Sequence, residues 1–299
     1  MAGPDEMKWC AEDALLRELL REVPLPRRGV LGPGDDCAAI PVGRGNKVLL
    51  LKTDCIAEDV HFRRSDDPAL VGWKALCRPL SDIAAMGGTP GQALVTFFSP
   101  PGLDPAYWRK FYRGLGRAAR KFGVVVAGGE MSRQKNGIAV SVALTGTADG
   151  KRLCKRSGGR AGDLLFVTGR LGGSLRGRHL RFVPRLGEGG WIARRGFASA
   201  MMDLSDGLGS DLPRLARASG CGFEIDEAAI PRNPGCTVAQ AISDGEDYEL
   251  LFSVSAAKAE KLRAAWKRKF PKVPLTAIGR LTRRKSAPAG WPGGWDHFG

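Results

Sequence analysis

The chain has 299 residues, of which 43% are hydrophobic and 26% charged, as in a globular protein long enough for two domains. Its 46 Lys and Arg against 31 Asp and Glu give a formal net charge of +15. No run of about 18 apolar residues is present, which argues against a membrane helix. Seven cysteines without a C-x-x-C pair argue against a disulfide framework or a zinc site. We therefore expect a cytoplasmic protein without a membrane partner.

The basic excess allows two interpretations. It can attract anionic ligands such as nucleotides or nucleic acid, or it can be a solvated surface. The sequence contains no nucleic-acid-binding motif, so the solvated surface is favoured and no nucleic-acid partner is expected.

Helices and strands are expected to alternate in the first half of the chain. Apolar periodicity predicts a helix over residues 12–22, a strand over 48–51, a helix over 70–86, a strand over 92–98, a helix over 107–122 and strands over 124–126 and 138–145. The strand at 48–51 would present Thr53 and Asp54 at its carboxyl end. Pro79 should kink or break its helix, because proline cannot donate the helical hydrogen bond. A glycine turn is expected at Gly128-Gly129-Glu130.

The pattern restarts after a predicted turn at Asp149 and Gly150. The elements expected there are a strand over 164–167, a helix starting at 172–174, a strand over 200–204, a helix over 211–218, strands over 223–225 and 249–254, and an exposed amphipathic helix over 258–272. Two α/β domains are the natural division, over residues 1–148 and 149–299.

Carboxylates recur in short segments beside glycine or at the ends of apolar runs. These segments are Gly34-Asp35-Asp36, Thr53-Asp54, Ser81-Asp82, Gly128-Gly129-Glu130, Asp203-Leu204-Ser205-Asp206-Gly207 and Gly245-Glu246-Asp247. Each segment alone is better explained as a turn or a helix cap. Together they favour hard oxygen ligands for Mg²⁺, in particular for Mg²⁺ that carries a phosphate chain.

Several known ways of binding phosphate are excluded by the sequence. It has no G-x-x-x-x-G-K-[ST] loop, no G-x-G-x-x-G fingerprint, no H-R-D or D-F-G pair and no G-x-S-x-G elbow. If the chain uses ATP, metals on scattered carboxylates must hold it.

The order of these segments along the chain resembles that of the thiamine-monophosphate kinases, of the aminoimidazole-ribonucleotide-synthetase-like superfamily. The matching segments are Gly34-Asp35-Asp36-Cys37-Ala38, Thr53-Asp54, Val60-His61-Phe62, Leu80-Ser81-Asp82-Ile83-Ala84-Ala85-Met86-Gly87, Gly128-Gly129-Glu130, Arg156-Ser157-Gly158, Gly162-Asp163, Asp203-Leu204-Ser205-Asp206-Gly207-Leu208, Gly245-Glu246-Asp247-Tyr248-Glu249-Leu250 and Asp296-His297-Phe298. They run nearly from end to end, and their number in order makes the resemblance specific.

The resemblance implies a fold and an activity. The fold would be α/β (α+β), with an N-terminal ATP- and Mg²⁺-binding domain whose mixed sheet forms a homodimer interface, and a C-terminal α/β domain. The activity would be direct transfer of the ATP γ-phosphoryl group to thiamine monophosphate, assisted by several Mg²⁺ ions.

Site residues are implied by the same matches. The implied metal site comprises Asp36, Lys52, Thr53, Asp54, Asp82, Glu130, Asp203 and Asp206. The implied nucleotide contacts are Gly129, Glu130, Arg156 and Ser205, and the implied thiamine-phosphate contacts are His61, Glu246 and Trp295. Catalysis would rest on Asp54, Asp82, Asp206 and Arg156.

Two residues depart from the family pattern at these positions. Glu130 stands where an Asp is usual, and its side chain is one methylene longer. Lys52 stands where a small polar residue is usual. It could place a cation close to the metals, or contribute only its backbone carbonyl.

Other functions remain open at this point. Within the superfamily the alternatives are an aminoimidazole-ribonucleotide synthetase, a selenophosphate synthetase and the hydrogenase-maturation dehydratase. Outside it, the carboxylates alone would allow a two-metal phosphatase or nuclease, and the charge would allow a basic nucleic-acid-binding protein.

Overall fold

Two five-stranded sheets organise the chain, one from each half of the sequence. The computed structural model describes residues 10–27, 29–284 and 286–298. The strands are β1 (Ala38–Pro41), β2 (Lys47–Ala57), β3 (Thr89–Ser99), β4 (Val125–Arg133), β5 (Ala139–Asp149), β6 (Leu164–Thr168), β7 (Ala198–Asp203), β8 (Gly222–Ile225), β9 (Leu250–Val254) and β10 (Leu275–Thr282). The α-helices are α1 (Ala11–Leu19), α2 (Pro68–Ala85), α3 (Pro105–Phe122), α4 (Leu186–Arg195), α5 (Leu208–Ala218), α6 (Val238–Ser243) and α7 (Ala256–Lys269). Within the described ranges, none of the helices combines the length and hydropathy needed to cross a membrane.

The first sheet has the strand order β1-β2-β5-β3-β4 and is mixed, because β3 and β4 are parallel while the other pairs are antiparallel. Helices α2 and α3 pack against each other, and α2 lies on one face of the sheet. The alternating burial of β2 and β5 reflects this packing, since successive side chains of a strand point to opposite faces.

The second sheet has the order β7-β9-β6-β10-β8, and all of its neighbouring strands are antiparallel. Two groups of buried side chains belong to it, one with α5 and one with α4 and α7. The central strands β6 and β9 are almost entirely buried, which matches their continuous apolar sequence.

Helix α2 links the two halves. It contacts β2 and β5 of the first sheet and also α4 and β7 of the second half. Gly189 of α4 permits the approach, because a Cβ atom there would lie 2.0 Å from the carbonyl oxygen of Ala84. This contact holds the end of α2, which carries Asp82, against the second half of the chain.

Two strands are longer than the sequence predicts. Thr53 and Asp54 lie inside β2, which pairs with β5 as far as Ala57 opposite Ala139. Gly129 and Glu130 do not form a turn but lie within β4, whose pairing with β3 continues through them. In both places the hydrogen-bonded partner strand extends pairing beyond the apolar residues that signalled the strand.

The structure corrects two local predictions about helices. Pro79 lies inside α2, which runs unbroken from Pro68 to Ala85, so the predicted break is wrong and the predicted kink stays a prediction. Burial of most of this helix offsets the missing hydrogen bond. Residues 172–174 begin no α-helix. Gly172 and Gly173 have positive φ angles, and a short 3-10 helix follows at Arg178–Leu180.

The remaining predicted elements are present, with ends shifted by a few residues. β5 ends at Asp149 and β6 begins at Leu164, while the proposed boundary between residues 148 and 149 stays a prediction.

Candidate active site

Three buried aspartates from distant parts of the chain meet between the two halves. Asp36 precedes β1, Asp82 lies near the end of α2 and Asp203 ends β7. Each offers a carboxylate oxygen, and the three oxygens lie within 4.8 Å of one another. We call these three residues the acid cluster.

Two basic side chains reach the acid cluster. The Lys52 Nζ atom lies 2.7 Å from an oxygen of Asp82 and 3.9 Å from an oxygen of Asp54. The Arg156 guanidinium donates to one oxygen of Asp36 through Nε at 3.1 Å and Nη2 at 2.6 Å. The other oxygen of Asp36 is buried and has no hydrogen-bond partner in the part of the chain that the structure describes.

The acid cluster resists full ionisation. Burial, and then the charge of Asp36, raises the pKa of Asp203 to about 7. Burial also raises the pKa of Asp82 well above its usual range, with Asp54 and Asp203 adding to the effect and Lys52 opposing it. Asp54 differs: burial would raise its pKa, but Lys52 and Arg78 lower it.

A divalent cation fits this donor set. Carboxylate oxygens are hard ligands of the kind that Mg²⁺ prefers, and buried acids with raised pKa values gain most when a cation neutralises them. The unpartnered oxygen of Asp36 provides an acceptor for it. Asp36, Asp82 and Asp203 are the residues that would hold the ion, with Asp54 beside them.

A pocket lies next to the acid cluster, under the C-terminal tail. We call it the tail pocket, and it is lined by Val60, His61, Arg78, Leu175, Ser205, Asp206, Asp244, Gly245, Glu246, Tyr248, Trp295 and His297. Its walls come from the loops after β2, β6 and β7, the loop before β9, Arg78 of α2 and the tail itself.

Glu246 is the best-paired acid of the tail pocket. One of its carboxylate oxygens lies 2.5 Å from Lys74 Nζ and 2.9 Å from His179 Nδ1, and the other lies 3.9 Å from Arg78. Burial would raise its pKa, but the His179 and Lys74 contacts lower it to about 2. Glu246 and Tyr248 both have positive φ angles, of 53° and 51°, which are unusual for residues with a side chain.

Lys74 of α2 connects two walls of the tail pocket, the His61 loop and the Glu246 loop. Its side chain is fully buried, and its Nζ atom also donates to the carbonyl oxygen of His61 at 2.6 Å and lies 2.8 Å from His179 Nδ1. Burial lowers the pKa of Lys74 to about 8, against the opposing charge of Glu246. Lys74 thus fixes Glu246 and the His61 loop relative to each other.

The tail is fastened at two points near Trp295. The backbone N–H of Trp295 donates to the Asp206 carbonyl oxygen at 2.8 Å. The Asp296 carboxylate accepts hydrogen bonds from the N–H groups of Ala11 (2.7 Å) and Glu12 (3.3 Å), at the start of α1. These bonds hold the Trp295 indole, which is 49% exposed, at the edge of the pocket.

Some residues implied by the sequence do not meet the acid cluster within this chain. Thr53 points away from Lys52 and Asp54, to the outer face of the first sheet, where it contacts Ser141. Glu130 on β4 lies level with Cys55 on β2, the neighbour of Asp54, because the paired residues across the sheet are Cys55, Ser141, Thr96 and Glu130. Three strand spacings separate Cys55 from Glu130, or about 14 Å. The predicted metal roles of Thr53 and Glu130, and the predicted nucleotide role of Gly129, stay predictions.

Gly129 has a structural requirement of its own. A Cβ atom at this position would lie 1.9 Å from the carbonyl oxygen of Val95 on β3. Asp206 also has a partner of its own: it is ion-paired with Arg214, which in turn contacts Asp211 and Asp13. The predicted metal role of Asp206 therefore stays a prediction.

Four site residues were missed by sequence reasoning: Lys74, Arg78, His179 and Tyr248. A signal for two of them was present. Lys74, Arg78 and Asp82 are spaced four apart on α2, so that they form one charged stripe along an otherwise apolar helix. His179 lies in the short 3-10 helix and had no such signal, whereas Tyr248 stood in a segment that matched the family pattern but was assigned no role.

Comparison with known proteins adds to this geometry. Residues 34–148 match the N-terminal domain, and residues 190–289 the C-terminal domain, of the family described as AIR synthase related protein. The thiamine-monophosphate kinase of Rhodopirellula baltica is 36% identical over 91% of this chain and 88% of that protein. The thiamine-monophosphate kinase of Aquifex aeolicus is 35% identical over 89% of this chain and 92% of that protein. The chain belongs to the thiamine-monophosphate kinase family.

Solved structures agree with this membership. AaThiL complexed with AMPPCP and TMP superposes with a TM-score of 0.81 and 32% identity, over 98% of this chain and 99% of that one. Thiamine-monophosphate kinase from Stenotrophomonas maltophilia K279a gives 0.74 and 28%, over 93% and 96%. The hydrogenase maturation protein HypE of E. coli, at 0.67 and 22% over 80% and 81%, shares the fold alone. The predicted family, enzyme class and fold class are confirmed.

Proposed function

We propose that this chain transfers the γ-phosphoryl group of ATP to thiamine monophosphate, with ADP and thiamine diphosphate as products. The observation that carries the proposal is one loop. Asp203 stands in the acid cluster at the end of β7, and Ser205 and Asp206, two and three residues later, line the tail pocket. A donor phosphate bound at the cluster would therefore end beside an acceptor in the pocket. The relative AaThiL was solved with AMPPCP and TMP, which supports this donor and this acceptor.

Charge neutralisation is the main requirement of this reaction. Two unit negative charges 4 Å apart repel by about 4 kcal/mol at an effective dielectric constant of 20. Mg²⁺ bound at the acid cluster would supply positive charge to the phosphates in a loose, in-line transition state. Lys52, Arg156 and Arg78 add fixed positive charge around the same point.

A strong general base is not needed. The acceptor is a phosphate oxygen, whose second pKa of about 6 makes it anionic near neutral pH. The only histidine predicted for the site, His61, is neutral there, because burial and then the charge of Arg78 lower its pKa to about 3. Its Nδ1 atom accepts a hydrogen bond from the Ala57 N–H, which fixes the ring beside the pocket.

Recognition of the organic part of the acceptor is assigned to the tail pocket. The thiazolium ring of thiamine is a cation, and an aromatic face attracts cations. Trp295 offers such a face at the pocket edge, and the ionised Glu246 offers an acceptor within it. The Tyr248 ring is held by stacking on Phe182, with centroids 3.9 Å apart.

We also propose that the chain forms a homodimer through the first sheet. Its face opposite α2 leaves Leu51 at 39% and Leu94 at 51% exposure, and the edge strand β4 adds Val125 at 60%. Apolar side chains that are contiguous on one sheet face mark a protein interface. The cytoplasmic location expected from the sequence stays a prediction.

An ADP-release assay with ATP, Mg²⁺ and thiamine monophosphate tests the proposed activity. We expect one ADP and one thiamine diphosphate per acceptor consumed, identified by phosphorus NMR. Acceptors of the related synthetases should give background rates. ADP release without an acceptor would instead indicate a phosphatase-like reaction, and the proposal would be abandoned.

A further inference from the structure

Lys52 places a cation among the carboxylates that are proposed to bind metal. It lies on β2 two residues before Asp54, so both side chains point to the inner face of the first sheet. Its Nζ atom is 2.7 Å from Asp82 Oδ1, a member of the acid cluster. The same nitrogen is 3.9 Å from Asp54 Oδ2. The Lys52 ammonium thus contacts one acid of the cluster, Asp82, and approaches the neighbouring Asp54.

The charges around the acid cluster show how little room remains for further cations. Asp36, Asp82 and Asp203 carry three negative charges when ionised, and Lys52 and Arg156 bring two positive charges to them. One formal negative charge is left at the cluster. Removal of the Lys52 charge would leave two, which is the charge that one divalent ion neutralises.

Lys52 is held in this place by its ionic contacts: its Nζ atom is within hydrogen-bonding distance of Asp82 and 3.9 Å from Asp54. The strand also fixes the direction of the Lys52 side chain, because alternate residues of β2 point to the same face of the sheet, and at position 52 this is the inner face.

We propose that the Lys52 ammonium occupies one of the cation positions of the acid cluster, so that the chain binds one divalent ion fewer than it would with an uncharged residue at position 52. The ammonium is then a tethered substitute for a metal ion. The inference rests on the proposed function only in assuming that the acid cluster binds a divalent metal.

Counting bound Mn²⁺ tests this directly, without turnover. Mn²⁺ is a spin-active substitute for Mg²⁺, and the bound ions per chain follow from the free-ion signal in electron paramagnetic resonance at saturating metal. We expect Lys52→Thr to bind one more Mn²⁺ per chain than the wild type. Mn²⁺ should also raise the melting temperature of Lys52→Thr by more than that of the wild type.

Two further variants separate charge from shape. Lys52→Arg keeps the positive charge and should keep the wild-type count. Lys47→Thr, at the exposed start of the same strand, should also keep it. An equal, non-zero count in the wild type and in a folded Lys52→Thr would overturn the role of Lys52 alone, as would a raised count in Lys52→Arg. A wild type that binds no Mn²⁺ would overturn the metal site and this inference together, whatever the result of the ADP-release assay.

Discussion

The acid cluster and the tail pocket are adjacent, but their carboxylates differ in how many hydrogen bonds and ion pairs the protein provides to them. In the described chain, the second oxygen of Asp36 is buried without a partner, and the three acids of the cluster, when ionised, outnumber the two positive charges of Lys52 and Arg156. In the tail pocket, Glu246 contacts Lys74, His179 and Arg78. The first region needs an added cation, whereas the Glu246 carboxylate of the second is already paired with basic groups of the protein. One is therefore suited to bind an ion, and the other to hold a fixed shape.

Arg78 connects the two regions. It lies 3.6 Å from Asp54 on the side of the acid cluster and 3.9 Å from Glu246 in the tail pocket. Two of its guanidinium nitrogens are buried without a hydrogen-bond partner in the described residues. Both nitrogens are therefore available to donate to an anion, such as the phosphoryl group of the proposed reaction.

The largest effect is expected in the acid cluster. Asp82→Asn should lower kcat by about 10³-fold, equivalent to about 4 kcal/mol, because it removes a charged ligand from the proposed metal site. In the metal-free protein the same change should alter the melting temperature little, because the repulsion that it removes among the buried acids offsets the lost Lys52 ion pair. Steady-state kinetics and thermal melts in EDTA measure both effects.

Asp226→Asn is the matched control. Asp226 is an exposed N-terminal cap of a short 3-10 helix, and Asn caps equally well. A large loss of metal-free stability in Asp82→Asn would show that this acid is satisfied by the protein, and the contrast with the tail pocket would disappear.

The tail pocket should respond in the opposite way. Lys74→Met should cost about 3 kcal/mol of folding stability, because it leaves Glu246 buried with less compensation. It should also raise the KM for thiamine monophosphate more than the KM for ATP, since Lys74 also holds the His61 loop. Chemical denaturation and two-substrate kinetics give the two values.

A double variant tests the pairing itself. In Lys74→Met/Glu246→Gln the unpaired charge is gone, so part of the lost stability should return. If the double variant is as unstable as the sum of both single changes, Lys74 acts by packing alone and not through Glu246.

The sequence predicted those site residues that stand in short recognisable segments, and it missed most of those whose role depends on contacts with distant parts of the chain. Asp36, Asp82 and Asp203 were predicted because each stands in a short segment that resembles the family pattern, and the fold brings them together. Lys74 was missed although its spacing with Arg78 and Asp82 was visible, because its partners Glu246 and His179 come from residues far along the chain. Single-chain geometry also separates Glu130 from the cluster, because β4 pairs at the far edge of the sheet.

A change in pH should affect folding stability in opposite directions through the acid cluster and through the tail pocket. In metal-free protein the raised pKa of Asp203, about 7 against an ordinary 3.8, means that stability falls as pH rises from about 4 to 7. The lowered pKa of Glu246, about 2 against 4.5, means that stability is lost as pH falls below about 4.5. We expect Asp203→Asn to flatten the first slope and Glu246→Gln the second, each by up to about 1.4 kcal/mol per pH unit.

Thermal melts in EDTA from pH 3 to pH 7.5 measure these slopes. Added Mg²⁺ should remove the slope that depends on Asp203 and leave the one that depends on Glu246. If Glu246→Gln flattens the slope between pH 4 and 7 instead, the acid cluster and the tail pocket titrate as one network and the proposed difference between them is wrong.

The smallest effect is expected at the edge of the tail pocket. Trp295→Ala should raise the KM for thiamine monophosphate about fivefold, equivalent to about 1 kcal/mol, which is the usual size of a partly exposed cation–π contact. The KM for ATP should stay within twofold, because Trp295 lines the tail pocket and not the acid cluster. Phe298→Ala is the control, since Phe298 is 66% exposed in the same tail and lines no wall of the pocket. Equal KM changes for both substrates would mean that the tail acts by ordering the Asp206 loop, to which the Trp295 N–H is bound, and not by stacking on the acceptor.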